Sequence, residues 1–190
     1  LLYGAPPARR RDAQRNRAAI VLAASQVLTE RDPVALMPEI ARRAGVGQAT
    51  LYRHFPDRHA LTAAVIEHQL DRLEQLAAGP GAHPEHFRDL LRAVLHTQIA
   101  MPGLMALIRR LDRAARHRYR RRALAALAGP LRRAREHGHV RADLVPEDLA
   151  LLFTMVQGVA GAGADAAAAR AAADRCVDLM LDGICRSTPG

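Results

Sequence analysis

Apolar residues recur through the chain at intervals of three and four, the spacing of one helical face. Over 12–30 they fall at Ile20, Ala23, Ala24, Val27 and Leu28. Asp32-Pro33 closes that helix, because the residue before a proline is driven out of the α region. Two short helices follow, over about 37–44 and 48–54, divided by Gly45-Val46-Gly47. Pro56-Asp57 opens a long one, with Asp57 as N-cap and Leu61, Val65, Leu73 and Leu76 on its buried side, running to about Ala78. Gly79-Pro80-Gly81 is the clearest boundary in the chain. Beyond it the pattern predicts helices over about 84–100, 103–115, 117–138, 146–160 and 166–186. Met101-Pro102-Gly103 divides the first pair, Pro130 is expected to kink the third, and Pro146 suits the first turn of the fourth. The alanine-rich run 166–173 reads as a small-residue packing surface. The expected fold is all-α with about nine helices: a flexible basic arm over 1–11, a three-helix unit over 12–56, a connecting helix over 57–78 and a larger helical unit over 79–190.

Composition supports helices. Alanine, the best helix former, fills 39 of 190 positions, whereas aromatics make up 3% and Trp is absent, which disfavours sheets. All 28 basic residues are Arg, a usage that fits coding bias in a GC-rich genome and weakens the meaning of any single one. The net charge of +9 favours a polyanionic partner. Its distribution is uneven: +5 over 1–60, −2 over 61–108, +10 over 109–141 and −4 over 142–190. Eleven Arg within 109–135 cannot all line a cavity, because an unpaired buried guanidinium is too costly. Arg118, Arg121 and Arg122 share one flank of that helix, and Leu124, Leu127 and Leu131 supply its buried one. A solvated face, a site for an acidic effector and a contribution to a DNA-attracting field all stay open for this segment. No apolar run approaches the roughly 18 residues of a membrane span, and Leu1-Leu2-Tyr3 lacks the features of a signal peptide; a cytoplasmic protein is expected. Cys176 and Cys185 lie about 180° apart around one helix, so they cannot bridge within it and read as reduced, buried thiols.

The segment richest in chemistry is 37–55. Ala41 supplies the small residue needed where two helices cross steeply, and Gly45 can turn the chain with positive φ. Ile40, Val46, Leu51 and Phe55 then fill the gap between the helices. On a helical wheel Ala49, Thr50 and Arg53 point outward, with Gln48, Tyr52 and His54 on the flanks. Such a face suits a DNA major groove, where Gln and Arg read base edges and Tyr, His and Thr reach phosphates. An ordinary helical hairpin shares the same small-residue spacing.

From Arg17 to about Leu61 the chain resembles the DNA-binding domain of TetR-type (TetR/AcrR) transcriptional regulators. The matching stretches are Ala23-Ala24, Glu39-Ile40-Ala41, Ala44-Gly45-Val46 and Thr50-Leu51-Tyr52-Arg53-His54-Phe55-Pro56, followed by Arg58 and Leu61. The resemblance implies an N-terminal three-helix helix-turn-helix DNA-binding domain, a connecting helix, and a C-terminal helical domain for ligand sensing and dimerisation. It puts Gln48, Ala49, Thr50 and Arg53 at base edges, and Tyr52, His54 and Arg58 at phosphates. Leu36 stands where many relatives carry a Ser or Thr N-cap, and Gly47 replaces the frequent Ser before the recognition helix. The implied partners are a palindromic operator in double-stranded DNA, a second copy of the chain and a small-molecule effector, and the implied role is repression. A nucleoid-type protein that binds DNA without sequence readout is the alternative.

By analogy with the same family, Phe87, Met101, Met105 and Phe153 are candidates to line an effector site, with His96, Gln98 and Gln157 as its polar groups. Leu149, Leu152, Phe153, Val156 and Val159 make one apolar stripe, and Cys176, Val177, Met180 and Ile184 another. Together these predict a dimer interface. His83, His86, His137 and His139 lack the Cys or carboxylate neighbours of a zinc site, so no metal is expected. No cofactor motif and no catalytic set appear: Gly161-x-Gly163 follows no strand, and Ser25 and Ser187 have no His/Asp setting. An enzyme is not expected.

Overall fold

The computed structural model describes residues 7–29, 36–79, 83–161 and 165–185. Among them are nine α-helices and no strand, apart from an isolated bridge between Val140 and Cys185. In order they are α1 (Pro7–Val27), α2 (Leu36–Arg43), α3 (Gln48–His54), α4 (Arg58–Ala78), α5 (Phe87–Ala100), α6 (Pro102–Arg110), α7 (Arg113–Glu136), α8 (Pro146–Gly161) and α9 (Ala166–Ile184). The chain divides into two units, Leu1–His68 and Gln69–Gly190.

In the first unit α1, α2 and α3 pack against one another. Ile20, Ala23, Ala24, Val27 and Leu28 of the α1 stretch are all buried, as the spacing predicts. Helix α1 starts at Pro7 rather than near residue 12. Proline is tolerated in a first turn because the N–H it lacks has no intrahelical partner there. Arg9, Arg10 and Arg11 therefore belong to a helix and not to a flexible arm. Residues 1–6, and the expected stop at Asp32-Pro33, lie outside the described residues.

Helix α4 opens as expected, with the Asp57 carboxylate accepting the Ala60 N–H at 2.7 Å. Leu61, Val65 and Leu73 are buried, but Leu76 is 45% exposed. The fourth-residue steps from Leu73 lead to Ala77, which takes the inward place, and Leu76 falls on the flank of that row.

In the second unit α5 lies against both α8 and α9, and α7 against α8. Phe87, Leu91, Leu95, Leu127, Leu131, Leu149 and Leu181 are almost wholly buried in the shared core. The axes on either side of Met101 differ by 81°. Helix α6 ends at Arg110, five residues short of the expected stop, because Asp112 caps a new helix by accepting the Ala115 N–H at 2.7 Å. Arg116 secures the junction by donating to the carbonyls of Arg109 and Leu111. Pro130 lies buried inside α7, which continues through it to Glu136. Gly138, at φ +76, ends that helix with its own N–H on the Arg135 carbonyl and the His139 N–H on that of Ala134.

Polar rungs set the register of α5 on α9. Arg88, Arg92 and His96 recur every fourth residue and meet Asp182, Asp178 and Asp174 in turn. The Arg92 guanidinium holds the Asp178 carboxyl below its ordinary value of 3.8. A depressed carboxylate stabilises the fold above its unfolded pKa, and that contribution is lost as pH falls through the folded value. The stability difference between wild type and Asp178→Asn is therefore expected to be full near neutral pH and to close as the pH falls below the ordinary carboxylate value and through the depressed folded one. Urea unfolding at a series of pH values measures it.

Candidate nucleic-acid interface

The turn between α2 and α3 is built around Gly45, whose φ is +66. Its N–H donates to the Arg42 carbonyl at 3.2 Å, and the Val46 N–H reaches the Ala41 carbonyl at 3.0 Å. That pair of bonds is the Schellman ending of a helix, which needs a residue in the left-handed region. Ala41, 2% exposed, is buried where a larger side chain would hold the helices apart. Glu39 accepts from both Arg42 and Arg43, and these two guanidiniums hold its carboxyl down to about 2.

Helix α3 has seven residues and no side-chain cap at Gly47. Leu51 and Phe55 are its inward anchors, 0% and 1% exposed. Phe55 leaves the helix in an extended conformation with its N–H on the Leu51 carbonyl at 2.8 Å. The opposite side presents Gln48, Ala49, Tyr52 and Arg53, all exposed, with Thr50 and His54 half-buried on the flanks. Arg58 is exposed at the first position of α4. Burial, and then the charges of Arg53 and Arg17, push the His54 imidazole below its ordinary value of 6.5. His54 is therefore neutral near pH 7 and can donate a hydrogen bond without carrying charge. Arg17, which the sequence did not single out, stands with its guanidinium over the Phe55 ring; this contact joins residues too far apart in the chain for any local pattern to reveal.

The candidate effector residues separate. Gln157 donates to Gln98 at 2.9 Å, joining α8 to α5. Phe87 and Phe153 belong to the hydrophobic core, Met101 is buried and Met105 half-buried. His96 does not join Gln98. Two residues apart on a helix they lie about 200° from each other, and the His96 ring sits 3.1 Å from Asp174 on α9.

The two stripes expected at a dimer interface lie mostly inward. Leu149, Leu152, Phe153, Val156, Val177, Met180 and Ile184 are buried in the protomer's own core, with Val159 and Cys176 partly buried against it. The exposed apolar side chains of α8 and α9 are instead Leu151, Met155 and Leu179. A helix apolar all round has two apolar faces, and the stronger stripe goes to the core.

The +10 segment is divided in its uses. Arg122 bonds Asp71 and Glu74 of α4, so it is a structural clamp and not a solvated charge. Arg118 lies over the Tyr119 ring, and Arg120 and Arg121 are exposed. Both cysteines are free and half-buried. Among the described residues no three His, Cys, Asp or Glu gather as a metal site would require, and no single helix is long and apolar enough to cross a membrane.

A short helix braced across a glycine turn on a three-helix base, followed by an all-helical second unit, defines a helix-turn-helix regulator. Residues 20–65 match the family described as bacterial regulatory proteins, tetR family. Residues 85–186, more than half of the chain, match the family described as transcriptional regulator SbtR-like, C-terminal domain. The structure is similar to that of a TetR transcription regulatory protein from Mycobacterium vanbaalenii, 30% identical over 93% of this chain and 99% of that one, with a TM-score of 0.69. It is also similar to a TetR transcriptional regulator from Streptomyces coelicolor, 29% identical over 90% of this chain and 99% of that one, with a TM-score of 0.68. An uncharacterized HTH-type transcriptional regulator of Mycobacterium tuberculosis is 46% identical over 55 residues, which are 28% of this chain and 27% of that relative's length. The chain belongs to the TetR family of transcriptional regulators.

The turn makes a direct prediction. Gly45→Ala places a Cβ in the left-handed region and is expected to destabilise the fold by about 1–2 kcal/mol. Gly47, at φ −69 with no atom near its missing Cβ, accepts a side chain; Gly47→Ser adds a cap and is expected to stabilise by a few tenths of a kcal/mol. Thermal unfolding of the two variants checks both signs.

Proposed function

We infer that this regulator is a cytoplasmic homodimer that represses transcription from a palindromic operator and is released by a small-molecule effector. The observation that carries the reading is the division of α3 into two faces: Leu51 and Phe55 buried, Gln48, Ala49, Tyr52 and Arg53 exposed. Seven residues are enough to lay one such face in a major groove. In this reading Gln48, Ala49, Thr50 and Arg53 meet base edges, while Tyr52, His54 and Arg58 hold the backbone.

Dimerisation supplies the second half-site, one helical turn of DNA away. Leu151, Met155 and Leu179 are 62%, 52% and 55% exposed on two helices that already pack together. Bringing two copies together there removes apolar surface from water and sets four helices around a two-fold axis. The effector acts by differential affinity: it binds the dimer that fits the operator less well than the dimer that does not, and so shifts the population off DNA. The Gln98–Gln157 pair, with Met101 and Met105 nearby in the chain, is the polar group to which such an effector would bond.

Two measurements test this reading. With an operator selected from a random duplex library, Arg53→Ala is expected to lose about 1–3 kcal/mol on the selected site and little on random DNA. Tyr52→Phe is expected to weaken both alike. An unchanged ratio for Arg53→Ala would remove it from base reading. In sedimentation at micromolar concentration the wild type is expected to run as a dimer and Leu151→Glu/Leu179→Glu as a folded monomer with weakened operator binding. A monomeric wild type would exclude this interface.

A further inference from the structure

Arg17 belongs to α1, one turn before the buried Ile20, yet its guanidinium carbon stands 4.5 Å from the centre of the Phe55 ring. That ring is a fixed platform. Phe55 is 1% exposed, and its N–H is tied to the Leu51 carbonyl. Arg17 itself remains exposed, and no carboxylate pairs with it among the described residues. A cation held over a ring face by the ring's quadrupole needs no N–H bond for that contact, so the guanidinium donors stay open to an acceptor. Its neighbour there is His54, whose imidazole feels the charges of Arg53 and Arg17 and of no acid. Arg17 over Phe55 and the Arg53 charge thus both bear on the imidazole at the end of α3. The carbonyl end of a helix repels an anion, so a phosphate there needs the guanidinium charges, with the imidazole as an uncharged N–H donor beside them. A planar fork suits a phosphate's paired oxygens.

We propose that Arg17 and His54 form one phosphate-binding site at the end of α3, with Phe55 as the platform that aims the Arg17 guanidinium at the DNA backbone. This rests on the DNA-binding reading above and adds to it a contact from α1. A backbone contact carries no sequence information, so random-sequence duplex serves as the probe.

Arg17→Met keeps an apolar cover on Phe55 and removes the charge; Arg17→Lys keeps the charge and removes the fork. Each is measured on a duplex of about 30 base pairs at salt between about 50 and 200 mM, the range over which counterion release is read. For Arg17→Met the slope of log Kobs against log salt is expected to become shallower by about 0.9 for each copy of the site engaged, with an unchanged melting temperature. Arg17→Lys is expected to restore most of the slope. In the free protein, NMR titration of His54 in Arg17→Met is expected to show its pKa moving up, because one of the two charges that oppose its protonation is gone. A wild-type salt slope in Arg17→Met overturns the site even if the His54 pKa moves, since Arg17 would then neighbour the histidine without touching DNA. An unmoved His54 pKa overturns it from the other side. Absence of any salt-dependent duplex binding by the wild type would instead overturn the DNA-binding reading, while the His54 titration would still report whether the cluster exists.

Discussion

A helix of seven residues is not stable by itself in water, where even alanine-rich peptides need about 12–15. Helix α3 is that short, and it exists because Leu51 and Phe55 are buried completely against the rest of the first unit. Full burial of side chains this size contributes about 1.5–3 kcal/mol each, enough to offset the cost of nucleating one turn and a half. The outward face follows from that anchoring. Once Leu51 and Phe55, four residues apart, point inward, the helical period leaves Gln48, Ala49, Tyr52 and Arg53 facing away. Gly45 serves the same end, because only a left-handed residue brings α3 back across α2 with the right side down.

The second unit is held by a different balance. Its apolar core is contributed by every helix from α4 to α9 except α6. Exposed ion pairs are worth little individually, but the three rungs between α5 and α9 share one spacing. A slip by one residue would break all of them at once. They therefore specify register where the apolar contacts specify only proximity. The Arg122 clamp on Asp71 and Glu74 does the same for α7 against the end of α4. What composition shows as a single block of positive charge is, in the folded chain, a helix cap at Arg116, a ring contact at Arg118, a clamp at Arg122, a carbonyl contact at Arg135, ion pairs at Arg132 and Arg141, and exposed side chains at Arg120 and Arg121.

Membership of the TetR family and the all-helical architecture agree with the pattern of short, glycine-bounded helices over 37–55. The Gln98–Gln157 bond joins two residues that the sequence paired only by analogy. It also separates them from His96, which faces the other way.

From sequence alone came the helix count, the caps at Asp57 and the turn at Gly45, the buried pair Leu51 and Phe55, and the burial of Ile20, Ala23, Ala24, Val27 and Leu28. All of these are local properties, set by residues within a turn or two of one another, where periodicity, glycine freedom and capping chemistry act directly. Sequence did not decide which apolar face of α8 and α9 meets the protomer's own core, which arginines of α7 are paired, or where Leu76 and His96 point. Those depend on partners distant in the chain. A helix with two apolar sides, or an arginine with five donors, accepts several neighbours equally well until the fold brings one of them near. The placement of Arg17 on Phe55 is of this second kind: only the packing of α1 beside α3 puts that charge at the end of the recognition helix.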